Sequence, residues 1–138
     1  MKMNIHLNFQ GNCAEAFAFY KKVFGAEKAF TMKYSDAPEG SPVPPDWNDK
    51  IMHTSIPLGE GQLMGCDAPP GRSTPLGGFQ VSVESKDEAE TKRLYESLKE
   101  GGTVQMAMAP TFWSPMFGMC TDRFGVAWMV GMPGAGQE

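Results

Sequence analysis

The stretch Asn4-Ile5-His6-Leu7-Asn8-Phe9-Gln10-Gly11-Asn12-Cys13-Ala14-Glu15-Ala16-Phe17 decides the fold of this chain. Apolar and polar side chains alternate along its first half, and the apolar members are Ile5, Leu7 and Phe9. Alternation with a period of two predicts a strand that buries one face and leaves the other polar. His6 is therefore expected on the polar face, beside Asn8.

A helix is expected to follow this strand directly. Asn12 is a favourable N-cap residue, and Glu15 stands at the third helical position of a capping box. The helix is predicted to run from about Cys13 to Phe24, where Gly25 ends it.

The second half of the chain repeats this plan. Residues 78–84 alternate again, and Ser85 and Glu88 have the spacing of another capping box before a helix that ends near Lys99. Three further strands are predicted after each helix. The order β-α-β-β-β, present twice, predicts a duplication with modules at about residues 1–68 and 76–133. The fold class is therefore α+β, with both modules expected to form a single domain over residues 1–138.

Composition and charge exclude several classes of protein. Twelve Lys and Arg against 16 Asp and Glu give a net charge of −4, which does not favour a nucleic-acid partner. No apolar run approaches the ~20 residues that a membrane-spanning helix needs, and the first residues lack the pattern of a signal peptide. The three cysteines form neither a disulfide framework nor a CxxC metal motif. A cytoplasmic protein with reduced thiols is expected.

Three short motifs in fixed order point to a family. They are Gly11-Asn12-Cys13-Ala14-Glu15-Ala16-Phe17, then Met52-His53 followed by Met64-Gly65-Cys66-Asp67, and then Asp122-Arg123-Phe124-Gly125 with Trp128. From about Ile5 to about Val130 the chain resembles the PhnB-like branch of the vicinal oxygen chelate superfamily of glyoxalases, bleomycin-resistance proteins and dioxygenases. The resemblance implies two βαβββ modules that form a curved mixed sheet around a cleft, with the helices on the outer face.

The resemblance also implies where a metal ion would bind. In the metal enzymes of the superfamily, His, Gln or Glu side chains on the first and last strand of each module converge on one divalent ion. In this chain those positions fall on Ile5, Met64 or Gly65, Gly78 and Met129, none of which is a ligand for a hard cation. A shift of one residue would bring in His6 and Trp128, which supply only one ligand. No metal and no other cofactor is expected.

The expected ligand-binding residues lie on the strands and loops that the resemblance assigns to the cleft. They are His6, Asn8, His53, Trp113, Phe117 and Trp128. For the two histidines, a structural role through hydrogen bonds and a role as general acid or base both remain open. Whether the histidines converge does not follow from the sequence.

Other notable residues have structural alternatives as well. Asp67 and Asp122 stand at turns and are expected to cap them through side-chain hydrogen bonds. Five methionines are candidates either for an adaptable apolar pocket or for filling gaps in the core, namely Met106, Met108, Met116, Met119 and Met129.

Three functions are compatible with these residues, and whether the protein is an enzyme stays open. The leading hypothesis is a metal-free PhnB-like protein that binds an unidentified small molecule. The alternatives are a metal-dependent lyase, isomerase or dioxygenase of the superfamily and a resistance-type protein that sequesters a drug. Because each module has one helix to cover its sheet, a homodimer that pairs sheet edges or exchanges modules is expected. The ligand and the pathway do not follow from the fold.

Overall fold

The order of the secondary-structure elements repeats once along the chain. The computed structural model describes residues 1–72 and 74–136. The elements are β1 Ile5–Phe9, α1 Cys13–Val23, β2 Phe30–Lys33, β3 Ile51–Leu58, β4 Gly61–Asp67, β5 Val81–Glu84, α2 Glu88–Lys99, β6 Thr103–Ala109, β7 Phe117–Thr121 and β8 Ala127–Gly131. The predicted α+β class with two βαβββ modules is confirmed. No helix among the described residues is long and apolar enough to cross a membrane.

The chain divides into two compact units, with the boundary between Pro75 and Leu76. The first unit holds a four-stranded sheet in the order β1-β4-β3-β2, and the second holds one in the order β5-β8-β7-β6. In each sheet the first strand of the unit runs parallel to its last strand, and the other neighbours are antiparallel. The two units therefore share one topology, as a duplication requires.

Helix α1 covers one face of the first sheet. On this face Leu7 and Leu63 are fully buried. Gly65 lies directly beneath the ring of Phe17, and a Cβ atom at Gly65 would come within 2.5 Å of that ring. Glycine at this position therefore lets the helix approach the sheet closely. In the second unit Gly118 has the same relation to Tyr95 of α2, at 2.6 Å.

Replacing Gly65 by alanine is expected to destabilise the protein. The added methyl group would overlap the Phe17 ring and press on the carbonyl oxygen of Leu7, and overpacking of this kind costs about 1–3 kcal/mol. Urea denaturation of Gly65→Ala checks the value. Gly77→Ala is the control, since a Cβ there meets no atom within 4 Å. Equal stability of the two variants would contradict the close approach of α1.

The N-terminus of α1 is capped by a distant aspartate and not by the predicted capping box. Asn12 is the N-cap residue, but its side chain makes no capping hydrogen bond. Asp67, at the end of β4, instead accepts hydrogen bonds from the backbone N–H groups of Gly11 and Cys13, at 2.9 and 3.0 Å. Its second oxygen accepts from the N–H of Ile51 at 2.9 Å. The expectation that Asp67 stabilises a chain turn is confirmed, and the expected role of Glu15 is wrong.

Helix α2 begins two residues later than the sequence predicts. Its N-cap residue is Asp87, whose side chain accepts a hydrogen bond from the N–H of Ala89 at 3.1 Å. The Ser85 hydroxyl accepts from the N–H of Asp87 at 3.2 Å and so supports the cap from outside the helix. Asp87 takes the cap because its carboxylate is both a strong acceptor and favourable at a helix N-terminus.

Candidate functional site

The face of the first sheet that points away from α1 carries most of the polar side chains predicted for the site. Strand alternation places His6 and Asn8 opposite the buried Leu7 and Phe9, as the sequence predicts. We call this surface the histidine face and define it by His6, Asn8, Phe30, Met32, His53, Ser55, Met64 and Cys66. None of these eight residues is an acid, a lysine or an arginine. The histidine face is therefore a partly exposed, uncharged surface.

The two histidines come together on this face. Their ring centroids are 6.2 Å apart, and the ring planes are inclined by 24°, in a stacked arrangement. The ring of Phe30 lies 6.1 Å from that of His53. On β4, Met64 is paired with His6 of β1 and with Ser55 of β3. Strand β4 therefore separates the two strands that carry the histidines. The sequence could not show this convergence, because it depends on the register of three strands.

Polar groups beside the histidines are held by cross-strand contacts. Asn8 is directly opposite Cys66, and the Cys66 thiol donates a hydrogen bond to the Asn8 Oδ1 atom at 3.3 Å. Burial, and secondarily the neighbouring Asp67, raises the pKa of the Cys66 thiol. A protonated thiol is a poor nucleophile, so Cys66 orients Asn8 and is not set up for covalent chemistry. Asn8 is exposed, and its amide N–H₂ group is a further hydrogen-bond donor.

His6 is neutral at physiological pH. Partial burial, and secondarily the charge of His53, lowers the pKa of His6 below its usual value. A neutral imidazole has one N–H donor and one bare nitrogen acceptor. The histidine face can therefore both donate hydrogen bonds to a ligand and accept them, while its ring faces offer a stacking surface.

We expect the NMR titration of the His6 ring to have its midpoint below the ordinary histidine value of about 6.5. In His53→Ala the pKa of His6 should rise, because one of its two lowering causes is removed. The folded-state pKa lies below the unfolded-state value, so the unfolded chain takes up the proton first on acidification. The contribution of His6 to stability is therefore complete above about pH 6.5 and is lost as the pH falls through the folded-state value. An unchanged midpoint in His53→Ala would contradict the contact between the rings.

Two other predicted residues lie together in the second unit. Trp113 and Phe117 are in edge-to-face contact, with ring centroids 5.3 Å apart, and Trp113 also contacts the ring of Phe112 at 4.8 Å. The turn between β6 and β7 positions them through Thr111 and Ser114, whose backbone and side chains exchange hydrogen bonds of 2.9 and 3.0 Å. Phe117 is buried, whereas Trp113 is partly exposed and available for contact.

Trp128 does not line an open surface of its unit, which corrects the sequence prediction. It is 0% exposed, and its indole N–H donates to Oδ2 of Asp122 at 2.9 Å. Trp128 is directly opposite Val81 and Cys120, which are also buried on the α2 side of the second sheet. The residue of β8 that faces the other way is Met129. The apolar sequence Ala127-Trp128-Met129-Val130 has no alternation from which the two faces could be told apart.

The five candidate methionines separate into two groups. Met106, Met119 and Met129 are directly opposite one another across β6, β7 and β8. Met108 and Met116 line a cavity of about 530 Å³ beside α2. The sequence indicated an apolar pocket for these two methionines but not the other lining residues, namely Glu88, Lys92, Tyr95, Glu96, Ala109, Pro110, Pro115 and Met132.

The residues at the expected metal-ligand positions do not fit the metal centre that the superfamily implies. Ile5 belongs to the α1 side of β1, Gly65 lies beneath Phe17, and Gly78 precedes β5. The side chains at these positions supply no carboxylate, amide or imidazole, which are the ligands that hard divalent ions require. Within residues 1–72 and 74–136, no group of three or more His, Cys, Asp or Glu side chains is arranged to hold an ion.

The fold and the two matching units define the class of protein. Two βαβββ units, each with one helix against a four-stranded mixed sheet, are the architecture of the vicinal oxygen chelate superfamily. Residues 1–131 match the family model described as 3-demethylubiquinone-9 3-methyltransferase, and the chain belongs to this family, the PhnB-like branch of the superfamily. The resemblance drawn from the sequence motifs is confirmed.

Individual relatives agree with this assignment. Protein YjdN of Escherichia coli (strain K12) is 32% identical over 138 residues, which cover 94% of each chain. The crystal structure of protein PA1353 from Pseudomonas aeruginosa is 42% identical with a TM-score of 0.86, over 96% of this chain and 98% of that one. A PhnB protein from Bacillus cereus is 22% identical with a TM-score of 0.73, over 96% of this chain and 99% of that one, and shows the same fold.

Proposed function

We propose that this PhnB-like protein binds an uncharged, planar small molecule without a metal ion, and that the histidine face is its principal contact surface. The stacked pair His6 and His53 carries the proposal. Two near-parallel rings, a neighbouring phenyl ring and a partly exposed position favour stacking of a flat ligand. Asn8 and the two imidazoles provide the hydrogen bonds that would orient it.

Trp113 and Phe117 are proposed as further ligand contacts. Trp113 combines a large apolar surface with an indole N–H donor and is partly exposed. Phe117 is in edge-to-face contact with it, at a centroid distance of 5.3 Å. Trp128 is not included, because its ring is enclosed and its N–H is bonded to Asp122.

The charge of the histidine face distinguishes this proposal from drug sequestration. A cationic planar drug is best held by carboxylates and aromatic rings together. The eight residues of the histidine face include aromatic rings but no carboxylate, so an uncharged ligand is favoured. The reaction in the family description, methyl transfer, is not proposed for this chain, because the described strands form two mixed sheets and not the parallel α/β sheet expected for binding S-adenosylmethionine.

We also propose that the two units act as one cytoplasmic domain and that the protein is a homodimer. Several large apolar side chains are exposed, of which Phe112 is 97% exposed and Phe30, Phe79 and Val104 also reach the surface. Light scattering is expected to give twice the chain mass of 15.1 kDa at micromolar concentration. A mass of one chain would contradict the dimer.

NMR with ¹³C-labelled histidine tests the binding site. The protein is titrated with three sets of compounds: uncharged planar heteroaromatics, cationic planar drugs, and a short-chain demethylubiquinol analogue with S-adenosylmethionine. The His6 and His53 ring resonances are expected to shift together with at least one uncharged planar compound. Saturable shifts with cationic drugs alone would support sequestration, and methylation of the quinol would support the transferase reaction. No shift of either ring with any compound would contradict the histidine face as the site.

A further inference from the structure

The cavity of about 530 Å³ beside α2 is a second candidate site for a small molecule. Its volume lies within the range of about 300–1,000 Å³ that is typical of ligand pockets. All of its lining residues belong to the second unit, whereas the histidine face belongs to the first. The cavity is therefore built from residues that the proposed function does not use.

The wall of the cavity that faces α2 is apolar. It comes from the end of β6, the turn between β6 and β7 and the residue after β8, and its side chains include Met108, Pro110, Pro115, Met116 and Met132. Methionine is unbranched and has three rotatable side-chain bonds, so it adapts its shape to a ligand. A wall of thioether and proline side chains favours contact with a flexible aliphatic chain.

The backbone behind this wall is held by hydrogen bonds. The Ser114 hydroxyl lies 2.7 Å from the carbonyl oxygens of both Met116 and Met132, and the N–H of Met132 donates to the Met116 carbonyl at 2.9 Å. On α2, the Tyr95 hydroxyl donates to the carbonyl of Met106 at 3.0 Å. Tyr95 is only 2% exposed, so its ring offers little surface for stacking a planar molecule. The cavity thus has a fixed backbone and adaptable aliphatic side chains.

The rim of the cavity on α2 is polar but already paired. Glu88, Lys92 and Glu96 follow one another at intervals of four residues, which places them along one stripe of the helix. Lys92 is bound to Glu88 at 2.9 Å, and Glu96 is bound to Lys99 at 3.0 Å. Each charged side chain among the described lining residues is therefore in an ion pair. A charged ligand would compete with these pairs, whereas an uncharged one would not.

The rim can nevertheless accept a hydrogen bond from a neutral group. A carboxylate has about four acceptor sites, so one bound ammonium group does not exhaust it. We propose that the cavity beside α2 binds an uncharged aliphatic alcohol, with its chain against the methionines and its hydroxyl donating to Glu88 or Glu96. This ligand class differs from the planar molecule proposed for the histidine face.

The proposal is tested with three compounds that share one alkyl chain, namely 1-octanol, octylammonium and octanoate. The protein is labelled with ¹³C at the methionine methyl groups, and Met108, Met116 and Met132 are assigned from their leucine variants. Exchange of methionine for leucine conserves volume and is well tolerated. With 1-octanol these three resonances are expected to shift together and to saturate, while Met32 and Met64 of the histidine face stay unchanged. Each ion should bind about threefold more weakly than the alcohol, because it competes with an exposed ion pair.

Charge variants test the role of the rim. Glu88→Gln removes the partner of Lys92, so the affinity for octanoate should rise by about threefold while that for 1-octanol changes little. Glu90→Gln is the matched control. It changes the net charge equally, but Glu90 pairs with Arg93 and does not line the cavity, so all three affinities should stay unchanged. Equal effects of the two variants on octanoate would contradict the proposed rim.

A blocking variant tests the cavity itself. Ala109→Phe introduces a ring at an exposed lining position and should weaken the binding of 1-octanol by about tenfold or more. Ala107→Phe, on the same strand but outside the cavity, should have no effect. The proposal is wrong if 1-octanol binds Ala109→Phe normally, if all eleven methionines shift alike, or if either ion binds more tightly than the alcohol. A fall in the light-scattering mass to one chain on addition of 1-octanol would assign the cavity to a second copy and would also contradict it.

Discussion

Replacing Asp122 by alanine is expected to lower the free energy of unfolding by about 3 kcal/mol or more. Asp122 is 3% exposed, and its Oδ1 atom accepts hydrogen bonds from the backbone N–H groups of Phe124 and Val126 at 2.9 and 3.0 Å. Its Oδ2 atom accepts from the indole of Trp128 at 2.9 Å. Loss of the carboxylate leaves these donors without their acceptor, and each buried unsatisfied donor costs about 1–3 kcal/mol. Urea denaturation gives the value.

Two further variants separate the turn from the indole contact. Asp122→Asn keeps an oxygen for the two backbone donors and loses only the acceptor for the Trp128 N–H, where an N–H₂ group takes its place. Its loss in free energy of unfolding should therefore be smaller than that of Asp122→Ala. Asp87→Ala removes an exposed cap and should cost only about 1 kcal/mol. A loss in Asp122→Ala no larger than that in Asp87→Ala would show that Asp122 does not hold the turn together.

Replacing His53 by alanine is expected to weaken the binding of an uncharged planar compound by about tenfold or more, which corresponds to about 1.4 kcal/mol. His53 is the central ring of the histidine face, in contact with both His6 and Phe30. Its loss removes a stacking partner and a hydrogen-bonding group together. Isothermal titration of the best compound from the NMR panel measures the change.

Matched variants distinguish this effect from general destabilisation. His6→Ala should also weaken binding, while the free energy of unfolding changes by only about 1 kcal/mol, because His6 is exposed. Thr31→Val, on the α1 side of the same sheet, removes a hydrogen bond of 3.0 Å to Thr54 and should leave binding unchanged. Equal affinity of His53→Ala and the unmodified protein would place the ligand elsewhere.

The elements of the fold could be predicted because their patterns are local. Alternation along β1 put Leu7 and Phe9 on the buried face and His6 on the open one, and the structure agrees. The cap of α1 could not be predicted in the same way. Its acceptor, Asp67, lies 56 residues from Gly11 along the chain, so only the parallel pairing of β1 and β4 brings them together.

The candidate site could be predicted only in part, for a similar reason. Alternation assigns His6 to a face, but its approach to His53 depends on the order β1-β4-β3. In β8 the run of apolar residues has no polar partner to mark a face, so Trp128 was assigned to the wrong side.

The central claim is that the histidine face binds a small molecule without a metal ion. A crystal structure of the protein with the best compound from the NMR panel tests it most directly. We predict a planar ligand stacked on the His6 and His53 rings and hydrogen-bonded to at least one imidazole or to Asn8, at about 2.7–3.2 Å. A ligand in the cavity beside α2, or a divalent ion bound to His6 with another nitrogen or oxygen donor at about 2.0–2.5 Å, would contradict it.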